Sequence, residues 1–157
     1  MHRRVESVVW ARECARPRGI PVARRLRGTR AQGLAYERKL VGAITRVMPS
    51  AVHGQWFHFF ADGEYGYCQP DVIRVVRDAV YVIECKLTDV ELATEQLRDL
   101  YFPVLRCAYA RPVRGIIAVR SVHRAPGLAH IASSLREALL VSETRVPVLH
   151  WIGSGPI

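Results

Sequence analysis

Apolar residues recur at helical spacing between residue 31 and about residue 48. Leu34, Leu40, Val41, Ile44 and Met48 form the stripe, and Pro49 closes it. From Gln55 the period shortens. Three β-prone runs follow, Gln55–Phe60, Cys68–Val76 and Ala79–Leu87, with Asp62-Gly63 and Arg77-Asp78 where turns belong. Thr88-Asp89-Val90-Glu91 reads as a capping box, with Thr88 as N-cap and Glu91 three residues on. The helix it opens carries Ala93, Leu97, Leu100, Tyr101 and Val104 on one stripe, and Pro103 is expected to kink or end it. Val113–Val122 reads as a further apolar strand. Leu128, Ile131, Leu135 and Leu139 mark a last amphipathic helix, and Arg145–Ile152 a last strand.

The predicted order is helix, three strands, helix, strand, helix, strand. The run Ala79 to Cys85 is apolar on both faces until Glu84, as in a central strand covered on both sides. The expectation is an α/β fold with a mixed central sheet flanked by helices.

Size and charge narrow the setting. A chain of 157 residues supports one domain with a core of its own. With 23 lysines and arginines against 14 acids, the net charge is +9, which favours a polyanionic partner. Nine arginines against two glutamates within residues 1–30 supply +7 of that charge. Pro17, Gly19, Pro21 and Gly28 predict an irregular stretch between Arg16 and Arg30, so residues 1–30 are expected to be a basic arm and 31–157 the folded domain. Arg24, Arg25, Arg27 and Arg30, with Arg38 and Lys39 on the first helix, are the candidate phosphate contacts. A solvated tail is the plain alternative; two glutamates and few serines disfavour a mitochondrial presequence. No apolar run reaches the roughly 18 residues that span a bilayer, and no signal-peptide core is present. The expectation is a cytoplasmic, intracellular protein with no membrane partner. Cys14, Cys68, Cys85 and Cys107 lie far apart without zinc-ligand spacing and are expected to be reduced and mostly buried.

Three acids sit against the apolar pattern. Glu84 and Lys86 share one strand face, their Cα atoms about 6.6 Å apart, while Cys85 points into the other layer. A turn centred between Arg77 and Asp78 sets Val76 against Ala79 and Asp71 against Glu84. Opposed residues bring their Cβ atoms within about 5 Å, where like charges destabilise a sheet. Two carboxylates so placed need a shared proton or a cation, and oxygen donors of this kind suit Mg²⁺ or Mn²⁺. A longer turn would instead move Asp71 to the opposite face and leave a plain Glu84–Lys86 pair. Glu37 falls on the apolar stripe of the first helix, where a carboxylate usually has a partner; a structural salt bridge would also satisfy it.

Pro70-Asp71, followed thirteen positions after the aspartate by Glu84-Cys85-Lys86, resembles the signature of the PD-(D/E)XK nuclease superfamily. Gly33-Leu34-Ala35-Tyr36-Glu37-Arg38 resembles the first-helix G-x-x-x-E-R of its small members, notably Holliday-junction resolvases of the archaeal type. Gln96 resembles the glutamine often found in the helix after the Glu-x-Lys strand. The aromatic residue that often follows four positions later is here Leu100, with Tyr101 one further on. The resemblance covers roughly residues 31–120 and implies a restriction-endonuclease-like αβββαβ core. It further implies that Asp71, Glu84 and the backbone carbonyl of Cys85 bind the metal, and that Glu37 holds a second ion or its water. Lys86 would orient or deprotonate the attacking water, its pKa lowered by metal and burial, and Gln96 would help position Lys86 or the nucleophile. The implied reaction is metal-assisted hydrolysis of DNA phosphodiesters leaving a 5′-phosphate. Structure-selective cutting by a homodimer fits a small chain with one active site.

Other features weigh less. Trp56, Phe57, Phe59 and Phe60 suit base stacking, but a core strand needs such residues too. His58 reads as a core or rim histidine. His53, His123, His130 and His150 lack ligand spacing, and Ser133 and Ser134 lack a histidine–acid partner set. The alternative functions are a non-catalytic nucleic-acid-binding module of the same fold and a basic RNA-associated protein with structural acids.

Overall fold

The computed structural model describes residues 4–20, 29–86, 89–120, 128–142 and 145–151. Within them lie two sheets and four α-helices. Strand β1 (Val8–Cys14) precedes helix α1 (Thr29–Val47), and four strands follow: β2 (Val52–His53), β3 (Trp56–Ala61), β4 (Glu64–Cys68) and β5 (Val72–Val75). After β6 (Val80–Lys86), helix α2 (Val90–Gln96) runs through a π-helical turn (Leu97–Tyr101) into α3 (Phe102–Tyr109). Strand β7 (Val113–Arg120), helix α4 (Leu128–Val141) and strand β8 (Val148–Trp151) are the last elements among the described residues. The five-stranded sheet has the order β2-β5-β6-β7-β8, with β6, β7 and β8 parallel and the other pairs antiparallel. The α/β fold and the mixed sheet between helices are as expected.

The sheet separates two apolar layers. Leu40, Ala43 and Ile44 of α1 and Ile131, Leu135 and Ala138 of α4 pack on Val72, Ile83, Cys85, Ile116 and Ala118. On the opposite face Val80, Val82, Ile117 and Val119 meet Ala93, Leu97, Val104 and Leu105. Gly115 lets that helical layer come close, because a Cβ there would stand 2.7 Å from the Phe102 ring. Alternation along β6 thus sends Cys85 into one layer and Glu84 toward the other.

The three expected strands do not form one ladder. The run Cys68–Val76 breaks at Pro70, which has no N–H for a ladder. Of that run only Cys68 precedes the break in a strand, as the last residue of β4; β4 pairs with β3, and β3 with β1, in a separate antiparallel sheet of three strands, and the part after the break is β5. Strand β1 itself arises within residues 1–30, where sequence reading placed no element. The Asp62-Gly63 turn explains its docking. Asp62 adopts φ +53° and Gly63 φ +80°, the left-handed pair of a tight hairpin. The Asp62 carboxylate then accepts from the N–H groups of Glu6 at 3.1 Å and Ser7 at 2.8 Å.

One helix cap differs from expectation, and of the two outcomes expected at Pro103 the helix end does not occur. The cap of α2 is Asp89, whose Oδ1 accepts from the Leu92 N–H at 2.8 Å; Thr88 lies outside the described residues. Pro103 neither ends nor closes the helix, which continues to Tyr109. Proline has no N–H for the carbonyl four residues earlier, that of Asp99. That carbonyl accepts from Val5 N–H at 2.8 Å, tying the N-terminal chain to the π turn.

Candidate functional site

The turn between β5 and β6 fixes the site. Val76 N–H donates to the Ala79 carbonyl at 3.0 Å, closing a turn on Arg77 and Asp78. Val75 then pairs with Val80 and Val72 with Ile83, the register expected from the sequence. Asp71 lies one residue before this ladder, and its Oδ2 accepts from Cys85 N–H at 2.7 Å. The Gln69-Pro70-Asp71 segment is held from two sides. Gln69 Nε2 donates to the Gly54 carbonyl at 2.9 Å, and the Tyr101 hydroxyl donates to the Gln69 carbonyl at 3.3 Å.

Glu84 is 1% exposed. Its Oε1 accepts from Lys86 Nζ at 2.5 Å. Its Oε2 is buried with no hydrogen-bond partner among the described residues, and so is Oε1 of Gln96 at the end of α2. Burial, and next the charge of Asp71, push the Glu84 carboxyl up to about 8. Burial also raises Asp71, against the lowering effects of the Cys85 N–H and Lys86. Glu37, half-buried on α1, is raised by burial and then by Asp71. Glu84 and Glu37 thus both feel the charge of Asp71, and burial leads the upward shift in all three.

Lys86 is subject to two opposed effects. Burial does lower its pKa, but Glu84, Asp71 and Glu37 outweigh burial and the net shift is upward. Without an added cation the amine is therefore a protonated donor, not a base.

A cleft of about 270 Å³ opens beside these groups, lined by Glu37, Arg38, His53, Gly54, Gln69 and Asp71 among others. Glu84 and Lys86 lie outside that lining. Arg38 thus shares a cleft with two of the carboxylates, and Lys39 is exposed on α1. Arg30 is the second residue of α1. Arg24, Arg25 and Arg27 lie outside the described residues.

No family model matches the chain, and no curated protein matches it. Among solved structures it is similar to protein VC1899 from Vibrio cholerae, at 18% identity and a TM-score of 0.42 over 76% of this chain. The match covers 30% of that protein, so the chain spans under a third of its length. The site is therefore read from its own geometry.

That geometry suits a hard cation. Every candidate donor is oxygen, and Glu84 Oε2 is a buried acceptor that the described residues leave unsatisfied. Among the described residues no three His, Cys, Asp or Glu groups gather tightly enough to hold an ion alone. One or two carboxylates completed by water and a substrate phosphate is the usual manner of Mg²⁺ binding.

Sequence reading passed over His53, Gln69 and Tyr101 as site residues. His53 and Gln69 reach the cleft through the Gly54 turn, whose φ of +70° has a glycine as its sequence trace. Tyr101 depends on the π turn. A turn with one extra residue moves a side chain five positions after Gln96 toward the place normally taken by the fourth. Tyr101 is buried and raised well above its ordinary value by burial, then by Glu84 and Asp71.

The four cysteines are free, with Cys68 and Cys85 buried as expected and Cys14 and Cys107 half-buried. Among the described residues no helix is long and apolar enough to cross a membrane.

Proposed function

We propose that this chain is a divalent-metal-dependent nuclease that hydrolyses DNA phosphodiester bonds, built on a restriction-endonuclease-like core. The observation that carries the reading is the buried Glu84 carboxylate near Asp71, with one oxygen on Lys86 and the other unsatisfied among the described residues. The resemblance of Pro70-Asp71 and Glu84-Cys85-Lys86 to the PD-(D/E)XK signature supports it, as does the order of α1, β5, β6 and α2.

Asp71 and Glu84, with the Cys85 carbonyl and Glu37, would hold Mg²⁺ or Mn²⁺. When bound, the ion supplies Lewis-acid polarisation of the scissile phosphate. Lys86, which contacts Glu84, would orient or deprotonate the attacking water and offset phosphate charge. Gln96 Oε1, a buried acceptor without a partner among the described residues, would align the Lys86 side chain or that water. Arg38 meets the incoming phosphate at the cleft, with Lys39 and the N-terminal arginines along the flanking backbone. Two copies of such a chain would cut both strands of a branched substrate.

The test is cleavage of labelled four-way junction, flap, duplex and single-stranded DNA in Mg²⁺, Mn²⁺ or EDTA, with wild type beside Glu84→Ala. Metal-dependent cutting that the variant lacks supports the reading. Tight binding without cutting in any metal would assign the chain to a non-catalytic module.

A further inference from the structure

The outer face of the three-stranded sheet has no part in the carboxylate site. Strand pairing sets two rows across it, Arg12–His58–Tyr67 and Trp10–Phe60–Tyr65. The rows lie two residues apart, or about 6.8 Å along the strands. His58 stacks on Tyr67 with centroids 4.4 Å apart and planes 11° apart, and Trp10 meets His58 edge-on at 4.9 Å. Phe60 lies 4.9 Å from Tyr65, and the Arg12 guanidinium 5.4 Å from the Trp10 ring centroid. Tyr65 is 67% exposed and Tyr67 46%.

This face is not surplus core. The alternate residues Phe57, Phe59, Ala61 and Cys68 turn the other way and are buried with α3. Gly66 is required beneath that inner layer, since a Cβ there would stand 2.4 Å from the Phe59 ring. Sequence reading took the run 56–60 together; the structure divides it, with Phe57 and Phe59 inward and His58 and Phe60 outward. Five rings and a guanidinium on an open antiparallel face offer stacking surface and one phosphate contact.

We propose that this face binds single-stranded nucleic acid by stacking its bases on Trp10, His58, Tyr65 and Tyr67, with Arg12 on the backbone. Charge complementarity selects the occupant: the chain carries +9, and Arg12 lies on the face itself. The inference does not depend on the carboxylate site cutting anything.

Anisotropy in EDTA tests it, with a labelled oligothymidylate and an abasic strand of equal length. Wild type should bind the base-bearing strand roughly 5- to 150-fold more tightly, the span of one stacked base. The double variant Tyr65→Ala, Tyr67→Ala should lose that preference and keep the salt dependence. Tyr65→Phe, Tyr67→Phe, which keeps the rings, should bind like wild type. Arg12→Ala should lower the salt slope by about one phosphate. Equal binding of both strands by wild type, or a preference that survives the alanine pair, would overturn the proposal. So would self-association that the alanine pair abolishes, which would give the face to a second copy. Since EDTA removes cutting, failure of the nuclease reading appears only in the cleavage assay.

Discussion

On the five-stranded sheet Glu84 is 1% exposed and carries an oxygen that the described residues leave unsatisfied, whereas on the three-stranded sheet Tyr65 is 67% exposed beside a stacked row of rings. The first region buries charge that water would have solvated; the second leaves in water rings that a core would have taken. Both arrangements cost folding free energy, in opposite ways. A sheet under selection for stability alone would place an apolar residue at 84 and short polar ones at 65 and 67. The two exceptions lie on different sheets, and each suits a different part of a nucleic acid. Carboxylates with a cation address the phosphodiester, and flat rings address the bases.

The sharpest way to break the comparison is to remove one exception and leave the other intact. Asp71→Asn is expected to reduce metal-dependent cutting by more than the roughly 10- to 100-fold that loss of an outer partner of a metal ligand costs. The same variant should leave oligothymidylate binding in EDTA unchanged. Parallel cleavage and anisotropy measurements check both.

The buried charge also has a pH signature. Glu84 ionises near 4.5 in the unfolded chain and at about 8 in the folded one. Between those values the folded protein keeps a proton that the unfolded chain releases, so stability falls as pH rises through that window. Asp71 and Glu37, also raised, act in the same direction. Lys86, raised from 10.5, titrates above the window. Denaturation in EDTA at steps from pH 5 to 8 should show stability falling as pH rises, with a shallower fall in Glu84→Gln. A flat wild-type profile would mean that Glu84 is ionised and fully compensated.

Each sheet also rests on a glycine beneath an aromatic ring, which compares their packing directly. Gly115→Ala places a Cβ 2.7 Å from Phe102, and Gly66→Ala places one 2.4 Å from Phe59. Overpacking of this kind typically costs about 1–3 kcal/mol. Urea denaturation should show a loss in both, and Gly66→Ala should also weaken oligothymidylate binding because it displaces the strand carrying Tyr65 and Tyr67. The smallest expected effect is that of Asp89→Ala, a loss of about 1 kcal/mol from the cap of α2 with no change in nucleic-acid binding.

The carboxylate region was legible in the sequence because its geometry is local. The Arg77-Asp78 turn sets the β5–β6 register, and that register brings Asp71 to the Glu84 face across a short stretch of chain. The aromatic face was not. Alternation in Trp56–Ala61 shows that the strand has two faces, but only its partners decide which is covered. Strand β1 mixes valine with arginine and glutamate, and it pairs with residues more than forty positions away through a turn aspartate acting at a distance. The π turn was hidden for a related reason. Pro103 announces a missing hydrogen bond, but not that Val5 would take the carbonyl and let the helix continue. Thr88 and Asp89 are both good caps, and spacing alone does not choose between neighbours.

The most direct test of the carboxylate site is a calorimetric titration with Mn²⁺ of wild type, Asp71→Asn and Glu84→Gln at pH 8. One saturable site in wild type, lost in both variants, is the predicted result. No saturable binding in wild type, or binding that both variants retain, would contradict the account and leave Glu84 and Lys86 as a buried structural pair.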